Sequence, residues 1–139
     1  MILVDTSVMI DYLKGAENKK SLLLENIFKN NIPFGISSYT YQELLQGARD
    51  ETELAKLKTY LSTQKIYFLP ENLETYESAA QIYYKLRRNG KTIRSTIDIL
   101  ISQAAIFYDL FLLHNDNDFD IIAGIITDLK ILKILNEIK

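Results

Sequence analysis

The sequence has no cysteine among its 139 residues. Disulfides, thiolate metal sites and a cysteine nucleophile are thereby excluded. It has one histidine, His114. No pair of imidazoles within one chain can act as acid and base. A Ser-His-Asp triad would have to use His114, and no Gly-x-Ser-x-Gly elbow exists to partner it. Glycine and proline are scarce, five and two residues, so the chain is neither a linker nor a low-complexity polymer. No uncharged apolar run approaches the roughly 18 residues of a membrane-spanning helix. The opening MILVDTSVMIDYLKG reaches Asp5 after four residues, too soon for the apolar region of a signal peptide. The cytoplasm is the expected compartment. The formal charge of −2 offers no global basic field, so any affinity for nucleic acid must come from local patches. What the chain does have is 18 carboxylates. If it does chemistry, they are its tools.

No internal repeat or linker interrupts the chain, and one domain over residues 1–139 is expected. Ile2, Leu3 and Val4 form an apolar run ending at Asp5, as in a fully buried strand. Thr6 or Ser7 can cap a following helix that carries Val8, Ile10 and Leu13 and ends at Gly15. Residues 17–30 read as a helix with Leu22, Leu23, Leu24, Ile27 and Phe28 on its apolar face. Residues 34–36 read as a strand, and Ser37 or Ser38 then opens a helix through Ala48. Further helices are expected over 51–63, 72–89 and 96–108, with strands at 66–69, 110–113 and 129–132. In the long helix Ala79, Ile82, Tyr83 and Leu86 are expected to face inward. Residues 115–120 read as a polar turn. Strands alternating with helices predict an α/β fold, with a mostly parallel sheet of four to five short strands flanked by helices. Active groups in such sheets sit at the carboxyl ends of the strands.

Asp5 falls at such an end, where it could also serve simply as a helix cap. Asp116 and Asp118 follow residues 110–113 in the same way, and Asn and Asp are ordinary turn residues. Glu43 sits beside Leu44 and Leu45. Asp98 lies between Ile97 and Ile99 in the most apolar helix. There an ionised carboxylate is costly unless paired or metal-bound, although a second-turn acid after an N-cap at Ser95 or Thr96 also suits the helix dipole.

Four segments, MILVDTSVMIDYLKG, ISSYTYQELLQGA, IRSTIDILISQAA and LLHNDNDFDII, resemble the PIN domain family, and within it the VapC-type toxins of toxin–antitoxin pairs. They occur in family order and cover residues 1 to about 133. The resemblance implies a PIN-like fold with Asp5, Glu43, Asp98 and Asp116 as the catalytic acids and Asp118 in support. Ser7, accompanied by Thr6, matches a small polar residue that supports the site. His114 stands where many members have Thr, and a strand-end ring facing solvent is expected for it. The implied activity is metal-dependent hydrolysis of RNA, leaving a 5′-phosphate and a 3′-hydroxyl. The implied partners are a VapB-like antitoxin, a small DNA-binding protein, and a second copy in a homodimer. Targets in the family are usually structured RNAs such as tRNA, and no residue here selects one.

Several carboxylates in one cleft cannot all ionise cheaply. Mg²⁺ or Mn²⁺, which prefer oxygen ligands, resolve the conflict. Asp5, Asp98 and Asp116 are the expected ligands. Glu43 is either a further ligand or the group that orients the attacking water. Near them YYKLRRNGKTIR carries Lys85, Arg87, Arg88, Lys91 and Arg94, three of the chain's four arginines. The stretch is either a phosphate-binding border of the site or a solvated helix end. Two other functions compete. A PIN-like module could bind RNA or protein without cleaving. A phosphatase-like hydrolase would place Asp-x-Asp after the first strand, but position 7 here is Ser.

Overall fold

The computed structural model describes residues 1–93 and 95–135. Among them five short strands form one all-parallel sheet: β1 (Ile2–Val4), β2 (Gly35–Ser37), β3 (Lys65–Tyr67), β4 (Phe111–Leu113) and β5 (Lys130–Ile131). Their order is β3-β2-β1-β4-β5. Seven helices flank the sheet: α1 (Thr6–Leu13), α2 (Lys19–Lys29), α3 (Ser38–Gln46), α4 (Glu51–Leu61), α5 (Leu73–Arg88), α6 (Thr96–Phe107) and α7 (Asn117–Ile125). The expected α/β architecture is present.

β1 lies at the centre and pairs with β2 and β4. Its three residues are fully buried, as a strand covered on both faces requires. Alternation along the strands divides the core. Leu3 and Leu112 join Ile82, Leu86, Ile99, Phe119 and Ile122 on one face, under α5, α6 and α7. Ile2, Val4, Ile36 and Leu113 join Val8, Leu24, Ile27, Leu44 and Leu61 on the other, under α1 to α4. At the β2–β3 contact only glycine fits. A Cβ on Gly35 would stand 2.6 Å from both the Lys65 carbonyl oxygen and the Tyr67 ring.

Four sequence expectations need correction. Residues 115–120 are not a turn throughout, because α7 begins at Asn117 and sends Phe119 and Ile122 into the core. The cap of α1 is Asp5 rather than Thr6 or Ser7. Tyr83 of α5 and Leu22 and Phe28 of α2 are exposed. On α5 the inward stripe is Thr75, Ala79, Ile82 and Leu86, and Tyr83 lies about 100° around the helix from Ile82. Leu13 of α1 is also exposed, and Met9 takes its place in the core.

The connectivity decides where chemistry can sit. From β1 the chain builds outward to β2 and β3, then crosses to β4 and β5 on the other side of β1. The direction of winding therefore reverses between β1 and β4. At such a switch point the loops diverge and leave a crevice at the strands' carboxyl ends.

Candidate metal centre

Asp5 ends β1 and opens α1 at this crevice. It is buried, and one carboxylate oxygen accepts two hydrogen bonds, from the Ser7 backbone N–H at 3.0 Å and the Ser7 hydroxyl at 2.6 Å. The Ser7 oxygen in turn accepts the Asn115 backbone N–H at 2.9 Å. With the Asp5 N–H bonded to the Leu113 carbonyl at 2.9 Å, the end of β1 is tied to the loop after β4. Burial raises the Asp5 pKa above the ordinary aspartate value, against the lowering effect of the Ser7 hydrogen bonds.

Asp116 caps α7 by accepting the Asp118 backbone N–H at 3.0 Å. The cap leaves Asp116 exposed and Asp118 half-buried, one turn of chain beyond β4. Asp98 arrives from the other direction. A helix that feeds a parallel strand must begin at the sheet's carboxyl edge. The first turn of α6, which leads into β4, therefore delivers Asp98 to the same crevice. Carboxylate oxygens of Asp98, Asp116 and Asp118 all lie within 4.8 Å of one another. Burial, and then the charges of Asp5, Asp116, Asp118 and Glu43, push the Asp98 carboxyl up to about 7. Glu43, on α3, is half-buried and accepts the Thr6 hydroxyl at 2.7 Å. Asp98, Asp116 and Asp118 thus form the compact cluster. Asp5 and Glu43 stand around it at distances where their charges are felt, each held by its own hydroxyl donor.

His114 does not face solvent. It is buried against Phe119, with ring centroids 5.1 Å apart. Its Nδ1 accepts the Asp116 backbone N–H at 3.1 Å, so the proton belongs on Nε2, which lies 3.1 Å from Asp120. Burial lowers the His114 pKa. The neutral ring thus braces the β4–α7 loop that presents Asp116 and Asp118. Sequence reasoning missed this role, and the one available signal was Asp120, six residues on in the next helix. Arg87, Arg88 and Lys91 are exposed at and beyond the end of α5. Among the described residues no hydrogen bond or ion pair links them to the acids. Instead Arg87 and Arg88 lie 5.7 Å over the rings of Tyr83 and Tyr84. Arg94 lies outside the described residues.

The donor set fits a hard divalent cation. Three carboxylates offer oxygens at close range, no thiolate exists in the chain, and the lone imidazole is occupied on both nitrogens. An all-parallel α/β sheet with such a cluster at its switch point defines the class of protein. Comparison with known proteins then places it: the chain belongs to the PIN domain family, whose model matches residues 2–125. It is a homologue of VapC ribonucleases. Ribonuclease VapC11 of Mycobacterium tuberculosis is 30% identical over 129 residues, 90% of this chain and 93% of that protein. Ribonuclease VapC19 of the same species is 30% identical over 113 residues, 81% of this chain and 86% of that protein. The fold is shared with VapBC2 from Rickettsia felis, solved bound to a promoter DNA fragment. The TM-score is 0.73 at 23% identity, over 95% of this chain and 98% of that one. DNA-bound VapBC from Salmonella typhimurium gives a TM-score of 0.73 at 24% identity, over 94% and 96%.

Proposed function

We propose that this protein is a Mg²⁺- or Mn²⁺-dependent endoribonuclease and the toxin of a toxin–antitoxin pair. The observation that carries the reading is the convergence of Asp98, Asp116 and Asp118 within 4.8 Å at the switch point. The relationship to VapC ribonucleases supports it. Asp98 and Asp116 would hold the metal with Asp118 and Asp5, directly or through water. Glu43 is a further ligand or orients the attacking water. Thr6 and Ser7 hold the Glu43 and Asp5 carboxylates in place. A cation bound there would activate water and offset the charge developing on the phosphate. The remaining work falls to the chain: fixing the acids, keeping His114 neutral beneath them, and meeting a polyanionic substrate. Structured RNA such as tRNA is the proposed substrate class. A VapB-like antitoxin and a homodimer are the proposed assemblies, and the cytoplasm is the proposed compartment. No helix among the described residues is long and apolar enough to cross a membrane. The reading is tested by incubating the protein with RNA and Mg²⁺ and identifying the new ends. Hydrolysis through a metal site gives 5′-phosphates and 3′-hydroxyls. Cyclic phosphates would overturn it.

The basic stretch is the proposed border of the substrate path. Between Ser78 and Ile93 the chain carries four cations, Lys85, Arg87, Arg88 and Lys91, and no carboxylate. Each phosphate neutralised on a single strand contributes about 0.7 to the slope of log K against log salt. Replacing Arg87, Arg88 and Lys91 together with Ala is therefore expected to flatten that slope by about 2 and to weaken RNA binding. Binding measured across a salt series checks this. An unchanged slope returns the stretch to an ordinary solvated helix end, and loss of antitoxin binding alone would assign it to the partner.

A further inference from the structure

Beneath Glu43 lies a line of hydroxyl groups that a generic helix terminus does not need. Ser37 ends β2 and Thr40 lies in the first turn of α3, and both are fully buried. The Ser37 oxygen accepts the Thr40 backbone N–H at 3.1 Å, the expected N-cap bond. The Ser37 hydroxyl then reaches the Thr40 hydroxyl at 3.3 Å. The Thr40 and Thr6 hydroxyl oxygens are 3.0 Å apart. The Thr6 hydroxyl donates to Glu43 at 2.7 Å.

Counting protons gives the line a direction. Each hydroxyl has one proton. That of Thr6 goes to the carboxylate, the shorter contact and the better acceptor. Across the 3.0 Å contact Thr40 must then donate and Thr6 accept. The Ser37 proton is left for Thr40. Every hydroxyl gives one bond and takes one, and the line ends on Glu43. Such chains polarise in one sense and strengthen along their length. Glu43 has few other restraints. Among the described residues, Thr6 supplies its one hydrogen bond, and no ion pair holds it. A glutamate has three rotatable side-chain bonds, so its direction depends on this single donor.

We propose that Thr40 is a positioning residue. It acts through Thr6 to hold the Glu43 carboxylate in one orientation at the acidic cluster, and it touches no reacting atom. The inference rests on the nuclease reading only for its kinetic consequence. The orientation of Glu43 can be observed without any reaction.

Thr40→Val keeps the side chain's shape and removes the hydroxyl. It is expected to lower kcat for RNA cleavage about tenfold with KM unchanged, the usual cost of losing a supporting hydrogen bond behind a site. Thr40→Ser restores the donor and should restore the rate. In a Glu43→Ala background, which removes the acceptor of the Thr6 hydroxyl, the same Thr40→Val change should cost nothing further. A crystal structure of the Thr40→Val protein should show the Glu43 side chain spread over several rotamers where the parent shows one. Thr6→Val, which removes the last link at a half-buried position, should act alike and keeps the test available if Thr40→Val does not fold. The proposal is overturned if Glu43 keeps one rotamer in both Val variants. It is also overturned if Thr40→Val loses the same factor with and without Glu43. If the parent itself fails to cleave RNA, the nuclease reading falls, and the rotamer comparison still decides the role of Thr40.

Discussion

Asp98→Asn is expected to lose at least about two orders of magnitude in RNA cleavage, the scale of removing a key electrostatic group. The same variant should melt at an equal or higher temperature than the parent in metal-free buffer. The two effects have one cause. Asp98 shares its crevice with Asp116 and Asp118 within 4.8 Å and feels Asp5 and Glu43 as well. Burial and these charges raise its carboxyl from 3.8 to about 7. The native state therefore holds the Asp98 proton more tightly than the unfolded chain does. Its contribution to stability is present below pH 4 and is lost as the pH rises toward 7. Above that range the ionised group is a constant cost to the fold.

Asn removes the charge and therefore the cost. The carboxylate is only half-buried, so solvent screening reduces the relief well below the full shift. About 1 kcal/mol, or roughly 3–5 °C, is expected at pH 8. The gain should shrink as the pH falls from 7 to 4. Added Mg²⁺ should raise the parent's melting temperature more than the mutant's, since a ligand of the native state stabilises it. If Asp98 were only a helix acid interacting with the N-terminal dipole, its loss should cost about 0.5–1 kcal/mol with or without metal. Thermal melts of both proteins at pH 5 and pH 8, in EDTA and in Mg²⁺, distinguish the two.

The parts of the fold that were legible in the sequence have local causes. Ile2, Leu3 and Val4 read as a buried strand because a parallel strand covered on both faces must be apolar throughout, and all three are fully buried. The helix carrying Asp98 was legible because it is apolar nearly all round, and α6 does bury Ile99, Ile101, Ala104 and Ala105. Its cap residue Ser95 makes no side-chain cap bond, so packing rather than capping sets its place. The start of α7 was misread because Asn and Asp mark both turns and helix caps, and HNDND alone does not separate them. The spacing of Phe119 and Ile122 was the signal that did.

The site was legible in a different way. Asp98 and Asp116 are far apart in the chain, and no spacing rule joins them. The alternation of strands and helices predicted only that acids after strands would share one edge of the sheet. The family resemblance named which acids, and the structure places three of them in one cluster. The supports were hidden. Thr6 meets Thr40 across 34 positions, and nothing local marks two threonines as partners. His114 looked like a strand-end residue because its environment is built from the helix that the sequence had disguised as a turn.

Cleavage of RNA by metal-stripped protein, with Mg²⁺ then titrated back, tests the central claim most directly. The claim is that the clustered carboxylates work only as holders of a divalent cation. Four of the acids around Asp98 carry charge of the same sign, and the chain has no second histidine to take over acid–base work. The account predicts no product in excess EDTA, return of cleavage with Mg²⁺ or Mn²⁺, and little return in the Asp98→Asn protein at any metal concentration. Cleavage that continues undiminished in excess EDTA would contradict it.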